Sequence, residues 1–286
     1  MTVASTSKAS LRNAVLGGVS LRYANVDSKC TRLLNQSVRP PLHLAKAYHE
    51  KDWAISLLTS PTAGLLEGDQ IEISARVEAS ARAALISPAS CRVHTMEGGS
   101  ASIRQTFTLE AGAVLDVWPA PLVLQKDASL EQHTEIECAE DATLIFTEIV
   151  APGRAAYGES FAFRNWRSSL RIHRDGQLLA YENFNCTPAK GEPADWRQQF
   201  PDGVYASIYY LNPNLSAALV EALHQMETEG ATLGASPLRV GGLGIKILAQ
   251  DGIRLRATIL KVRALLVAAS ELDFPHALQR AQTFFH

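Results

Sequence analysis

Several carboxylates stand in apolar, strand-like runs where an ionised group is costly. Glu148 lies in Leu144-Ile145-Phe146-Thr147-Glu148-Ile149-Val150, Asp116 in Val114-Leu115-Asp116-Val117-Trp118, and Glu182 follows Leu178-Leu179-Ala180-Tyr181. Taking a carboxylate out of water is expensive unless a cation, an arginine or a hydrated passage compensates. Two arrangements meet that requirement. The acids are structural and paired, for instance with Arg154, or they line an internal hydrated channel. Both readings stay open on the residues alone. Asp69 closes Gly64-Leu65-Leu66-Glu67-Gly68-Asp69 just before a strand-like run, where a tight turn bonded to the Asp69 side chain is the simplest reading. The stretch Ala151-Pro152-Gly153-Arg154-Ala155-Ala156-Tyr157-Gly158-Glu159 sets one Arg and one Glu among small residues. Gly153 and Gly158 allow close packing and positive φ. Arg154 and Glu159 then read as a clamp, an acid–base pair or part of a passage for a charged ligand.

Other chemistries are excluded by their missing signatures. There is no phosphate-binding G-x-x-x-x-G-K-[ST], no G-x-S-x-G and no H-E-x-x-H. Gly241-Gly242-Leu243-Gly244 precedes an apparent strand, whereas a dinucleotide loop follows one, so it is set aside. Cys91 and His94 would project to opposite faces of a strand and cannot readily share a metal. Cys30, Cys91, Cys138 and Cys186 form no C-x-x-C pair, which points to reduced, mostly buried thiols and a cytoplasmic setting.

The 286 residues are 47% hydrophobic and 20% charged, enough for a sizeable core and too apolar for disorder. A net charge of −2 gives no electrostatic footprint for nucleic acid or an anionic membrane. No apolar run approaches the roughly 20 residues that span a bilayer. A polar, Ser/Thr-rich start without a signal-peptide core suggests a flexible tail over residues 1–10. The partners left are protein, a small molecule or a cation.

Alternation of apolar and polar residues predicts strands over most of residues 11–210, including Phe161–Phe163, Ser169–His173, Leu178–Tyr181 and Val204–Leu211. Asp175-Gly176 marks a hairpin. Three segments repeat one plan of alternating strand, small-residue turn, apolar strand and proline: IEISARVEASARAALISPAS, SIRQTFTLEAGAVLDVWPAP and TEIECAEDATLIFTEIVAPG. Their prolines, Pro88, Pro119 and Pro152, recur at spacings of 31 and 33. One such unit cannot bury its apolar face, so neighbours must stack. The expected fold is mainly β: stacked sheets of β-helix or solenoid character in a single domain over 11–286. Two helices are expected in the C-terminal region, near 213–227 and 253–270, with a strand over 240–249, a chain turn at Asp251-Gly252 and a short helix after Pro275.

Four stretches, in this order, carry a resemblance to a known family: Gly64–Asp69 (GLLEGD), Leu85–His94 (LISPASCRVH), Leu115–Leu124 (LDVWPAPLVL) and Gly153–Phe161 (GRAAYGESF). Together they resemble the UreD (UreH) urease accessory proteins, over most of residues 11–270 and most strongly from Pro61 to Phe163. The chain departs from the family pattern at Ala63-Gly64, Glu67, Cys91, Arg92 and His94, and at Asp116-Val117-Trp118. The resemblance implies a non-enzymatic scaffold of β-helix-like fold. It also implies binding to apo-urease and to a helical accessory protein, which in turn recruits a nickel-carrying GTPase. It further implies transient passage of nickel toward the urease active site, with no organic cofactor. Carried onto matching positions, Asp69, Glu148 and Glu182 become the metal path, with Ser87, Ser90 and Asp116 lining it. Oxygen ligands suit transport, because a closed Cys/His cage would trap the ion. Gly153, Arg154, Gly158 and Glu159 become a structural or interface loop. A β-solenoid enzyme that cleaves carbohydrate with paired carboxylates is the alternative, weakened by an aromatic content of only 7%. A purely structural binding module is a third reading.

Overall fold

The computed structural model describes residues 14–26, 30–119, 121–191, 194–239 and 241–279. The tail expected over 1–10 lies outside the described residues. Among these residues two sheets stack face to face. The first has seven strands, in spatial order β15 (Gln177–Cys186), β14 (Asn165–Arg174), β12 (Ser129–Cys138), β9 (Ala101–Leu109), β6 (Gln70–Val77), β1 (Leu16–Val26) and β2 (Cys30–Arg39). The second has eleven. Its main path runs β17 (Ala231–Pro237), β18 (Gly242–Ala249), β16 (Val204–Leu211), β13 (Thr143–Ala151), β10 (Val114–Trp118), β7 (Arg82–Ile86), β5 (Trp53–Thr59) and β3 (His43–Leu44). Beside that path lie β4 (Tyr48–Glu50), β8 (Cys91–Val93) and β11 (Leu122–Leu124).

The internal repeat builds this architecture. Its three units become β6–β7, β9–β10 and β12–β13. The first strands of the units lie parallel in one sheet and the second strands lie parallel in the other. Each unit therefore crosses once from sheet to sheet, and successive units stack as coils of a solenoid. The small-residue turns stack as well. Ala81, Ala113 and Ala142 donate to Glu78, Glu110 and Ala139 across them at 3.0, 3.0 and 3.2 Å. Ser80 donates to Ala111 of the next coil at 2.8 Å. Beyond the coils the chain returns in antiparallel hairpins, β14–β15 turning at Asp175-Gly176.

Strand composition tells which faces are buried. β9 alternates buried and open positions along Ala-Ser-Ile-Arg-Gln-Thr-Phe-Thr-Leu, so the first sheet shows one face to solvent. β10 and β13 are apolar nearly throughout because the second sheet is covered on both faces. Leu85, Phe107, Leu115, Ile136 and Phe146 fill one part of the space between the sheets. Leu65, Val93, Leu124, Leu130 and Trp166 fill another part. The outer face of the second sheet packs under helices. Leu255, Ile259, Val262 and Leu266, at helical spacing, are buried against Ile145, Ile208 and Ile245.

The helices are α1 (Ala194–Gln199), α2 (Ala217–His224), α3 (Gly252–Ala269) and α4 (His276–Gln279). The one nearest 213–227 begins late, because Asn212 bonds the Asn214 amide in a side-chain turn and Ser216 then caps α2. The chain bends at Gln250 and Asp251 as expected, and there Asp251 also accepts from the Arg254 amide at 2.8 Å and caps α3. Phe161–Phe163 is not a strand. Phe161 has φ +55° and donates to the Pro152 carbonyl, folding the segment back over the preceding loop. Helix α1 and strand β17 had no clear signal in the sequence.

Candidate functional site

A cavity of about 130 Å³ opens between the sheets. That is room for several waters. Ser87, Ser90 and Cys91 line its outer part, and Gln105, Gln132 and Glu148 its inner part. Gly64 stands at this outer part with φ +135°, and a Cβ there would lie 2.1 Å from the Arg92 carbonyl. Only glycine lets the two segments pass so closely. Glu148 is half-buried, and the surface it exposes is wall of this cavity.

Register decides what stands next to Glu148. It pairs with Ser207 on β16, and Ser207 pairs with Lys246 on β18, so three polar side chains share one row. Gln132, from the opposite sheet, donates to Glu148 Oε1 at 2.5 Å, and the Ser207 hydroxyl lies 3.5 Å from Oε2. Gln132 is buried, and its own carbonyl oxygen has no hydrogen-bond partner. Glu182 reaches over from β15. Lys246 binds both of its oxygens, and the Tyr209 hydroxyl donates to Oε2 at 2.5 Å. The ammonium also lies over the Tyr205 and Tyr209 rings, 5.7 and 4.9 Å from their centroids. Burial first, and the Glu182 charge second, push the Glu148 carboxyl up to about 7, with Lys246 opposing. The same two causes raise the Tyr205 and Tyr209 hydroxyls, so both stay protonated donors. The whole forms a polar seam between two apolar halves of the core.

The other expected residues fall elsewhere. Asp69 is buried with both oxygens engaged, accepting from the Val15 amide at 2.9 Å and the Leu66 amide at 2.8 Å. It holds the turn beside the cavity and is not among the groups lining it. Asp116 faces away from the cavity: it pairs with Ile145, one step out of phase with Glu148, and points to the helix side of its sheet. There Arg263 binds it through two nitrogens, one at 2.9 Å, and lies 4.1 Å over the Trp118 ring. Ser87 and Ser90 line the cavity. Arg154 and Glu159 bind each other through two bonds of 2.7 and 2.6 Å, closing their loop on itself. Gly153 is indispensable there, since a Cβ would meet the Glu159 carbonyl at 2.2 Å. Gly158 ends the loop's short 3₁₀ turn in the left-handed region.

The family model for the UreD urease accessory protein matches residues 16–282. The chain is 36% identical over 263 residues to the urease accessory protein UreD of Opitutus terrae, covering 88% of this chain and 94% of that one. It is 29% identical over 248 residues to the UreD of Acetivibrio thermocellus, covering 85% and 94%. It is also similar to the UreH of Helicobacter hepaticus, 35% identical over 151 residues, which are 53% of this chain and 60% of that one.

The chain belongs to the UreD family.

Three of the four stretches that carry the resemblance meet at the cavity. Gly64 comes from the first, Ser87 and Ser90 from the second, and Val117 and Leu122 from the third. Gln132, Ser207, Tyr209 and Lys246 of this UreD-family chain were not singled out from sequence. Lys246 carried a usable signal, a charge inside the apolar run Gly242-Leu243-Gly244-Ile245-Lys246-Ile247-Leu248, the criterion that picked Glu148. Gln132 and Ser207 carried none, because their importance comes from strand register. Glu135, Glu137 and His173 also offer metal-ligating atoms within 4.8 Å of one another, on the open face of the first sheet. His173 Nδ1 there lies 2.9 Å from Glu137. Among the described residues, no helix is long and apolar enough to cross a membrane.

Proposed function

We propose that this UreD-family chain is a non-catalytic scaffold of urease maturation that passes Ni²⁺ along the polar seam toward the urease active site. The observation that supports it best is the cavity between the sheets, which runs in from Ser87 and Ser90 and ends on Glu148, beside Glu182. Hydroxyl, amide and carboxylate oxygens bind a divalent ion weakly enough to release it, unlike a thiolate cage. In this reading the scaffold docks on apo-urease and on a helical accessory protein in the cytoplasm. It reaches a nickel-carrying GTPase through that second partner. Asp69 supports the path by holding the turn beside the cavity, and Asp116 by anchoring α3. Carbohydrate cleavage fits the geometry poorly. A glycan needs an open cleft, whereas Glu148 lies inside the sandwich.

The test uses the assembled complex. Glu148→Ala combined with Glu182→Ala should leave co-purification with apo-urease and the helical partner intact. Urease activation at limiting nickel should fall at least tenfold. Unchanged activation would remove the two carboxylates from the path, and failure of the wild-type chain to bind either partner would remove the scaffold role.

A further inference from the structure

Glu148 and Glu182 share one cation. The hydrogen-bond partners of Glu148, Gln132 and Ser207, are neutral, while Lys246 sits on Glu182 and is also felt at Glu148. With both carboxylates ionised, the cluster carries one net negative charge. A divalent ion held between them would leave the cluster one charge positive if the ammonium stayed, and neutral if it left. Like charges a few ångströms apart in a partly buried site repel. The ion and the ammonium therefore compete for the same oxygens.

Lys246 is built to leave. It sits at the sandwich edge, with its side chain 38% and that of Glu182 28% exposed, so water is within reach of the ammonium. Its four-carbon stem is flexible and its charge is readily hydrated. Tyr209 accepts from Nζ at 3.2 Å and donates to Glu182, so one hydroxyl spans both groups. Gln132, on the far side of Glu148, keeps a buried carbonyl oxygen without a hydrogen-bond partner.

We infer that Lys246 is an internal surrogate cation: it holds the Glu182 station while the path is empty and swings to solvent when a divalent ion arrives. The inference rests on the nickel-path reading and adds its gate. Without Lys246 the carboxylates would hold the ion longer, and release would slow.

The experiment measures Ni²⁺ binding by equilibrium dialysis, with the metal alone as probe, on the full chain in complex with its helical partner. Urease activation at limiting nickel is measured alongside. Lys246→Met should bind Ni²⁺ about tenfold tighter and activate urease more slowly, while Lys246→Arg, which keeps the charge, should retain wild-type affinity. Lys246→Gln can still donate a hydrogen bond to Glu182. It should shift affinity in the same direction, and it carries the test if the methionine variant fails to fold. Wild-type affinity in the neutral variants, with activation still lost in the Glu148→Ala/Glu182→Ala protein, would overturn the gate and leave the path standing. Unchanged nickel binding and activation in that double variant would overturn the path, and the gate with it.

Discussion

Glu148 is an ionisable group that the fold holds at an energetic cost. Its carboxyl, ordinarily near 4.5, is pushed up to about 7 by burial and by Glu182 from β15, with Lys246 from β18 and Ser207 from β16 opposing. The folded state therefore holds a proton that the unfolded state has given up. The stability this contributes is complete below about 4.5 and is lost as pH rises through about 7. At roughly 1.4 kcal/mol per pKa unit, the cost above pH 7 is at most about 3.5 kcal/mol. Glu148→Gln should accordingly be more stable than wild type at pH 8 and indistinguishable from it near pH 5, as denaturant titrations at the two values would reveal. Equal differences at both would contradict the shift. A metal ion at Glu148 must displace the same proton, so apparent Ni²⁺ affinity should weaken as pH falls from 8 to 6.

At the scale of elements, an ionic contact is added to the apolar packing of α3 on the second sheet. Asp116 and Arg263 are 1% and 4% exposed, so neither charge can be rescued by water. Breaking one partner of a buried pair costs about 3–5 kcal/mol, more than the pair itself contributes. Asp116→Ala should lower stability by that amount, and Asp116→Leu with Arg263→Leu by clearly less than the sum of the single changes. A double-mutant cycle measures the coupling. Additive losses would mean the two side chains act separately. The Arg154–Glu159 loop is fixed differently, by backbone approach. Gly153→Ala forces a Cβ into the Glu159 carbonyl at a φ of +153°. It should loosen the loop, seen as faster amide exchange over 153–161 with the sheets unaffected.

At the scale of the whole molecule, two sheets held apart by apolar packing leave a polar seam between them. The cavity reaches the surface near Ser90, which is exposed. Ser90→Trp should plug that opening while changing stability by only about 0.5 kcal/mol, as surface substitutions usually do. Partner binding should persist and urease activation at limiting nickel should drop. Full activation by the plugged protein would mean that the ion enters elsewhere.

The repeat of strand, small turn, apolar strand and proline was enough to read stacked sheets, because alternation reports one open face and continuous apolarity reports two covered ones. The helix expected over 253–270 and the hairpin at Asp175-Gly176 were legible within a residue or two, and three of the four family stretches meet at the cavity. Charges in apolar strands were equally visible, yet sequence could not say which face each one took. Asp116 and Glu148 look alike in their runs, and strand phase alone sends one to Arg263 and the other to the cavity. Lys246 meets Glu182 across 64 residues, through pairings no local pattern encodes. Local preference fixed the strands, while the register between them, set by the packing of two whole sheets, chose which buried charges became partners.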